Sequence, residues 1–232
     1  FSLRAPFFVY SFTVASAGLV ALIFLAKSDS AKKQTHAAED VTMLIRDAIK
    51  IPGYQAALLA AFGLAWAVTS VRISLVPLYV TEGLGLRPVA LGAGLAAATI
   101  CQGLTLIPAG KFVDSRGRRQ GLLIGSFVSV VGLIIFAYVE NYAGFILAMA
   151  FAGLGASFLS SAPAALVGDV MTGKSGRVVA VWQMSSDLGF IVGPVAMGFV
   201  ADQKSFQAAF LVGILLIIPI LLRAINLPET RK

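Results

Sequence analysis

The chain has 232 residues, of which 58% are hydrophobic and only 12% are charged. A soluble domain is nearer a quarter charged, so this chain lacks the polar surface to cover a globule in water, and lipid must form part of its solvent. The formal net charge of +7 raises nucleic acid as a partner, but the placement of the basic residues argues against it, and the single cysteine, Cys101, excludes an intrachain disulfide framework.

A membrane helix needs about 20 mostly apolar residues. Seven stretches qualify, at roughly 5–26, 53–82, 88–109, 120–139, 143–168, 178–201 and 205–222. Arg4 alone does not supply the basic region of a secretion signal, so the first stretch reads as a membrane helix of a longer protein. Between Lys27 and Pro52 the chain turns polar and mixed in charge, which is a linker. Its histidine, His36, has no second ligand nearby to make a metal site. Val41, Leu44, Ile45, Ala48 and Ile49 recur at helical spacing, with Arg46, Asp47 and Lys50 off that stripe. The pattern predicts a short amphipathic helix at the inner membrane interface, ended by Pro52 and Gly53; a plain solvated linker is the alternative.

The other five gaps are short, so consecutive spans must be antiparallel neighbours. With the linker inside, fourteen of the eighteen Lys and Arg residues fall on the cytoplasmic side. Only Arg4, Arg87 and Lys204 fall outside, and Arg72 lies within a span. That is the positive-inside asymmetry, and it accounts for the basic balance without nucleic acid. Small residues crowd the fifth span at Ala152-Gly153-Leu154-Gly155-Ala156-Ser157, and the sixth at Gly189, Gly193, Pro194 and Gly198. Such spacing lets helix backbones approach closely, and Gly193-Pro194 predicts a softened, broken helix.

The loop after the third span reads Gly110-Lys111-Phe112-Val113-Asp114-Ser115-Arg116-Gly117-Arg118-Arg119, a G-x-x-x-D-x-x-G-R-R pattern. Gly110 and Gly117 would permit a tight reversal, and Asp114 could accept bonds from a helix N-terminus. Arg118 and Arg119 could pair with carboxylates at other helix ends, Asp169 and Glu229 being the candidates. The loop resembles the cytoplasmic signature of the major facilitator superfamily (MFS). Three further stretches resemble the family: Pro163 to Asp169 its tenth helix, Asp187-Leu188-Gly189 with Gly193-Pro194 its eleventh, and Leu227-Pro228-Glu229-Thr230-Arg231 its ending.

The resemblance implies an all-α membrane protein with seven transmembrane helices. Residues 1–27 would be the last helix of a missing N-terminal half, 28–52 a cytoplasmic linker, and 53–232 a six-helix bundle of inverted three-helix repeats. It implies secondary transport of a small molecule by alternating access, in a bacterial-type cytoplasmic membrane, with no bond chemistry and no cofactor. The fragment alone would be inactive, and its partners would be substrate, protons, lipid and the missing half. No G-x-x-x-x-G-K-[ST] loop or H-E-x-x-H is present to suggest ATP-driven pumping or zinc proteolysis.

The candidate cavity residues are Trp66, Ser70, Arg72, Gln102, Thr105, Ser157, Ser160, Ser161, Trp182, Gln183 and Asp187. The hydroxyls can equally bond their own helix backbone. This apolar and aromatic mix resembles the drug-efflux branch, hence proton-coupled efflux of an amphipathic compound, with nutrient or metabolite uptake as the alternative. A retinal receptor would need a mid-span lysine, and an intramembrane enzyme a paired-carboxylate or nucleophile site; neither is present.

Arg72 sits about 28 Å along its span, counting from Gly53, so it either snorkels to outer headgroups or faces the outer mouth of a cavity. Asp187 lies about 15 Å deep, close to the midplane. It either accepts bonds from Ser185 or Ser186, or from an inner arginine, or lines the cavity and changes protonation between states.

Overall fold

The computed structural model describes residues 11–16, 18–20, 45–170 and 176–227. Residues 11–16 and 18–20 are helical and belong to a unit of their own. Most of the first expected span, Val41, Leu44 and Glu229 lie outside the described residues.

Among the described residues every regular element is helical. A single turn, α1 (Ile45–Ala48), precedes six long apolar helices. These are α2 (Pro52–Gly83), α3 (Pro88–Arg116), α4 (Arg118–Tyr138), α5 (Tyr142–Val170), α6 (Gly176–Gln203) and α7 (Phe206–Ile225). Each is long and apolar enough to cross a membrane. They coincide with the second to seventh expected spans, and α3 runs several residues further at the linker end. In α1, Ala48 is buried against the bundle while Ile49 is exposed, so this turn splits the expected apolar stripe.

Short-range chemistry sets the reversals. Pro88 occupies the first turn of α3, where its missing N–H costs nothing, and Gly85 takes φ 61° just before it. The Asn141 side chain accepts from Gly144 N at 2.8 Å to open α5, and Ser205 accepts from Ala208 N at 3.1 Å to open α7. Between α3 and α4 the whole reversal is one residue, Gly117, at φ 113° and ψ 155°. No L side chain is comfortable there.

Two expectations change at this point. Gly110 lies within α3 with open space around it, so it takes no part in the reversal. The helix around Gly189, Gly193 and Pro194 is continuous from Gly176 to Gln203, so the expected break is absent. The two glycines serve contact instead. A methyl group on Gly189 would strike the Phe62 carbonyl of α2, and one on Gly193 would strike Ser70. Gly198 faces open space.

The departure from α-helical geometry is in α2. From Leu64 to Leu75 its backbone runs in a wide register, with Val76 N donating to Val71 O. A second wide turn covers Tyr79–Gly83, where Leu84 N donates to Tyr79 O at 2.8 Å. Pro77 lies between them and has no N–H to give. Wide turns of this kind concentrate at functional sites.

The core divides into two ends. The linker end packs Tyr54, Leu122, Leu159, Leu166 and Ala224. The opposite end packs Tyr79, Phe145, Met149, Phe210 and Ile217 around Phe136, whose ring stacks on Phe210 at 5.2 Å. Against this core, α3 and α6 each bury only a narrow stripe. On α3 it is Gly94, Ala98, Ala109 and Val113, and on α6 Val178, Gly189, Gly193 and Met197. The remaining circumference of both helices is apolar and largely uncovered.

Candidate functional site

Two groups of residues carry the polar chemistry of the bundle. The first is at the linker end. Arg118 opens α4 directly after Gly117, and its side chain is 8% exposed. Its Nε donates to Asp169 Oδ2 at 2.8 Å and its Nη2 to Asp169 Oδ1 at 3.3 Å, a two-pronged contact. Asp114 Oδ1 stands 3.9 Å from Nη2.

The electrostatics explain the arrangement. Asp169 sits at the C-terminal end of α5, and Asp114 in the last turn of α3, where the helix dipole disfavours an anion. Arg118 sits at a helix N-terminus, where a cation is disfavoured. Bringing them together offsets all three. Asp114 thus meets a guanidinium rather than helix N–H groups, contrary to expectation. Arg119 is half-buried and has no ion pair among the described residues. Arg116 lies over the Phe112 ring at 5.8 Å.

The second group lies within the spans. Arg72 Nη1 donates to Gln102 Oε1 at 3.3 Å, linking α2 to the middle of α3. The head is therefore turned towards the bundle's midsection, and the expected positions at outer headgroups or the outer mouth are not adopted. Arg72 Nε is buried without a partner, and so are Trp66 Nε1 and Trp182 Nε1. Below Gln102, Ser157 donates to the Gln102 carbonyl at 3.0 Å, and Thr105 and Ser157 exchange a bond of 2.7 Å. Ser70, Ser160 and Ser161 donate to carbonyls of their own helices, as hydroxyls in helices commonly do.

On α6, Gln183 Nε2 donates to Asp187 Oδ1 at 3.3 Å, and both residues are exposed. The expected serines do not serve Asp187. Ser185 donates instead to the Leu58 carbonyl of α2 at 2.9 Å, and among the described residues no arginine pairs with the carboxylate. Helices α2 and α6 run parallel, with Tyr54 bonded to Val178, Leu58 to Ser185, and Phe62 against Gly189. Asp187 is therefore level with residues 58–62 of α2; it lies six residues before Gly193, which meets Ser70, so it is about 10–15 Å along the axis from Arg72. The two charges are not counterions.

Sequence reasoning missed the wide register of α2, for which Pro77 was the available signal. It also missed Tyr54, whose buried hydroxyl joins two helices. Among the described residues no cluster of three His, Cys, Asp or Glu side chains could hold a metal.

Six long apolar helices, with an ion-pair cluster at one end and sparse polar groups mid-span, define a polytopic helical membrane protein. The sequence model of the Major Facilitator Superfamily matches residues 57–232, and the chain belongs to that family of transporters; it is not an enzyme. It is 28% identical over 132 residues to an uncharacterized MFS-type transporter of Yersinia pestis, covering 57% of this chain and 34% of that protein. It is 33% identical over 113 residues to Multidrug resistance protein 2 of Bacillus subtilis, covering 48% and 28%. It is 30% identical over 148 residues to the vesicular acetylcholine transporter of Mus musculus, covering 63% and 27%. The chain thus spans about a third or less of the length of these relatives. Its fold matches the crystal structure of a POT family transporter in complex with 5-aminolevulinic acid at TM-score 0.66 and 18% identity, over 75% of this chain and 37% of that one.

Proposed function

We propose that this chain is the C-terminal half of a twelve-helix transporter that exports an amphipathic compound in exchange for protons. In this reading residues 53–232 form the second six-helix bundle, and 1–27 carry the last helix of the first. The observation that carries it is Asp187: a carboxylate about two-fifths of the way along α6, exposed and, among the described residues, paired only with Gln183, with apolar neighbours such as Met184, Leu188 and Ile191. A carboxylate at membrane depth is costly unless it faces water, a partner or a substrate. In this reading Asp187 is the coupling group, and conformational change around it is linked to proton exchange. The relatives named as multidrug proteins favour export of apolar compounds over nutrient uptake. The two-pronged Arg118–Asp169 contact holds the inner ends of α4 and α5 together in one conformer.

The test is Asp187→Asn in the intact transporter, reconstituted in vesicles. Gradient-driven accumulation is lost and substrate exchange is retained. Normal concentrative transport by that variant would end the coupling role. Orientation is tested separately by single-cysteine labelling at Ser115 and Gln203, both exposed. Ser115 reacts from the cytoplasmic side and Gln203 from the other; equal access from one side contradicts the topology.

A further inference from the structure

Arg72 is the one cation of the six long helices placed far from both ends of its bundle, and no carboxylate meets it. Among the described residues the acids lie elsewhere. Asp47, Asp114 and Asp169 are at the linker end, and Glu82, Glu140 and Asp202 are at the other end. Asp187 is about 10–15 Å away along the helix axis, six residues before the Gly193 that meets Ser70. The ion pairs found are Lys50–Asp47, Arg118–Asp114 and Arg118–Asp169, none of them involving Arg72. Its hydrogen-bond partner is the neutral amide of Gln102. A fixed positive charge at membrane depth requires an anion or water.

The side of the guanidinium on which that anion sits can be decided. Towards the core, Arg72 borders a cavity of about 10 Å³ lined by Val68, Val71, Ser129, Leu133 and Phe136. That holds about one water molecule. It is polar enough for one, because Arg72 Nε and Ser129 Oγ are both buried there without partners. It admits nothing larger. The opposite side, where Nη1 reaches Gln102, borders the uncovered flank of α3, where Thr99 and Leu106, three residues before Gln102 and four after it, are exposed. An arginine offers two parallel N–H groups that match a carboxylate.

We propose that Arg72 and Gln102 form the subsite for a carboxylate on the transported compound, so that the substrate is an amphipathic acid or zwitterion. This rests on the reading of the chain as part of a transporter. The Gln102 amide can turn its N–H₂ towards the second carboxylate oxygen, so one residue pair supplies donors to both. The exposed apolar residues of α3 take the hydrocarbon part.

The experiment measures binding without transport, so it stands or falls apart from proton coupling. The intact transporter in detergent is titrated with 1-naphthaleneacetate, 1-naphthaleneacetamide and 1-naphthylmethylamine, and thermal unfolding is followed. These share one apolar body and differ in charge. Wild type binds the acetate at least about tenfold more tightly than the amide, as expected for a charge-assisted pair. Arg72→Gln abolishes that preference without weakening the amide, and Arg72→Lys keeps part of it. A wild type that binds the acetate no better than the amide, or prefers the amine, overturns the proposal. So does a carboxylate preference that survives in Arg72→Gln. Ligand-free Arg72→Met gives a further check. It unfolds at the wild-type temperature or higher, because an uncompensated charge has gone. A marked fall instead shows that a carboxylate from another segment already holds Arg72, which also overturns the proposal.

Discussion

The Tyr54 hydroxyl donates to the Val178 carbonyl at 2.7 Å across 124 residues of sequence, joining the first turn of α2 to the first turn of α6. Tyr54 is fully buried, and Val178 is buried beside it in the core of the linker end. The bond sets the two parallel helices in register at the linker end, below the contact of Gly189 with Phe62.

Tyr54→Phe removes that bond and keeps the ring. A neutral buried hydrogen bond contributes about 0.5–1.5 kcal/mol, so the variant loses that amount. In a bundle of this size the thermal midpoint falls by roughly 2–4 °C per kcal/mol. Thermal unfolding in detergent checks it; an unchanged midpoint means the two turns are held by packing alone.

Arg118 and Asp169 are coupled more strongly than surface ions. Exposed pairs contribute about 0–1 kcal/mol. Here the side chains are 8% and 20% exposed, with two hydrogen bonds between them. A double-mutant cycle over Arg118→Gln and Asp169→Asn should give a coupling of about 1.5–3 kcal/mol, the range of hydrogen bonds to charged groups. The same cycle over Arg118 and Asp114, which is 72% exposed at 3.9 Å, should give less than about 1 kcal/mol. Chemical or thermal unfolding measures both, and equal couplings would contradict the geometry.

The glycines of α6 and α3 separate contact from permissiveness. Gly189→Ala forces a methyl group against the Phe62 carbonyl, which cannot move without the helix. Overpacking of this kind costs about 1–3 kcal/mol. Gly110→Ala has open space and gains helix propensity, so stability holds or rises by about 0.5–1 kcal/mol. Gly117→Ala fails for a third reason, because its φ of 113° is strained for any side chain. Unfolding of the three variants side by side gives the ranking, and a destabilised Gly110→Ala would refute the assignment of Gly110 to the helix interior.

The sequence by itself determined that helices are the secondary structure, where the six long ones lie, and that Gly117 falls where the chain reverses. These are local properties. An apolar run of about 20 residues must satisfy its backbone internally in lipid, whatever surrounds it. Only the tertiary structure decided that Arg118 takes Asp169 and holds Asp114 loosely, that Arg72 turns to Gln102, and that Gly189 and Gly193 make contacts in an unbroken helix. Those outcomes depend on how each helix is rotated about its axis and how deep it sits against its neighbours. Rotation and depth are set by side chains meeting across tens of residues of sequence: 51 for Arg118 with Asp169, 30 for Arg72 with Gln102. Hydropathy along a span carries almost none of that information, because its apolar residues lie on every side of the helix.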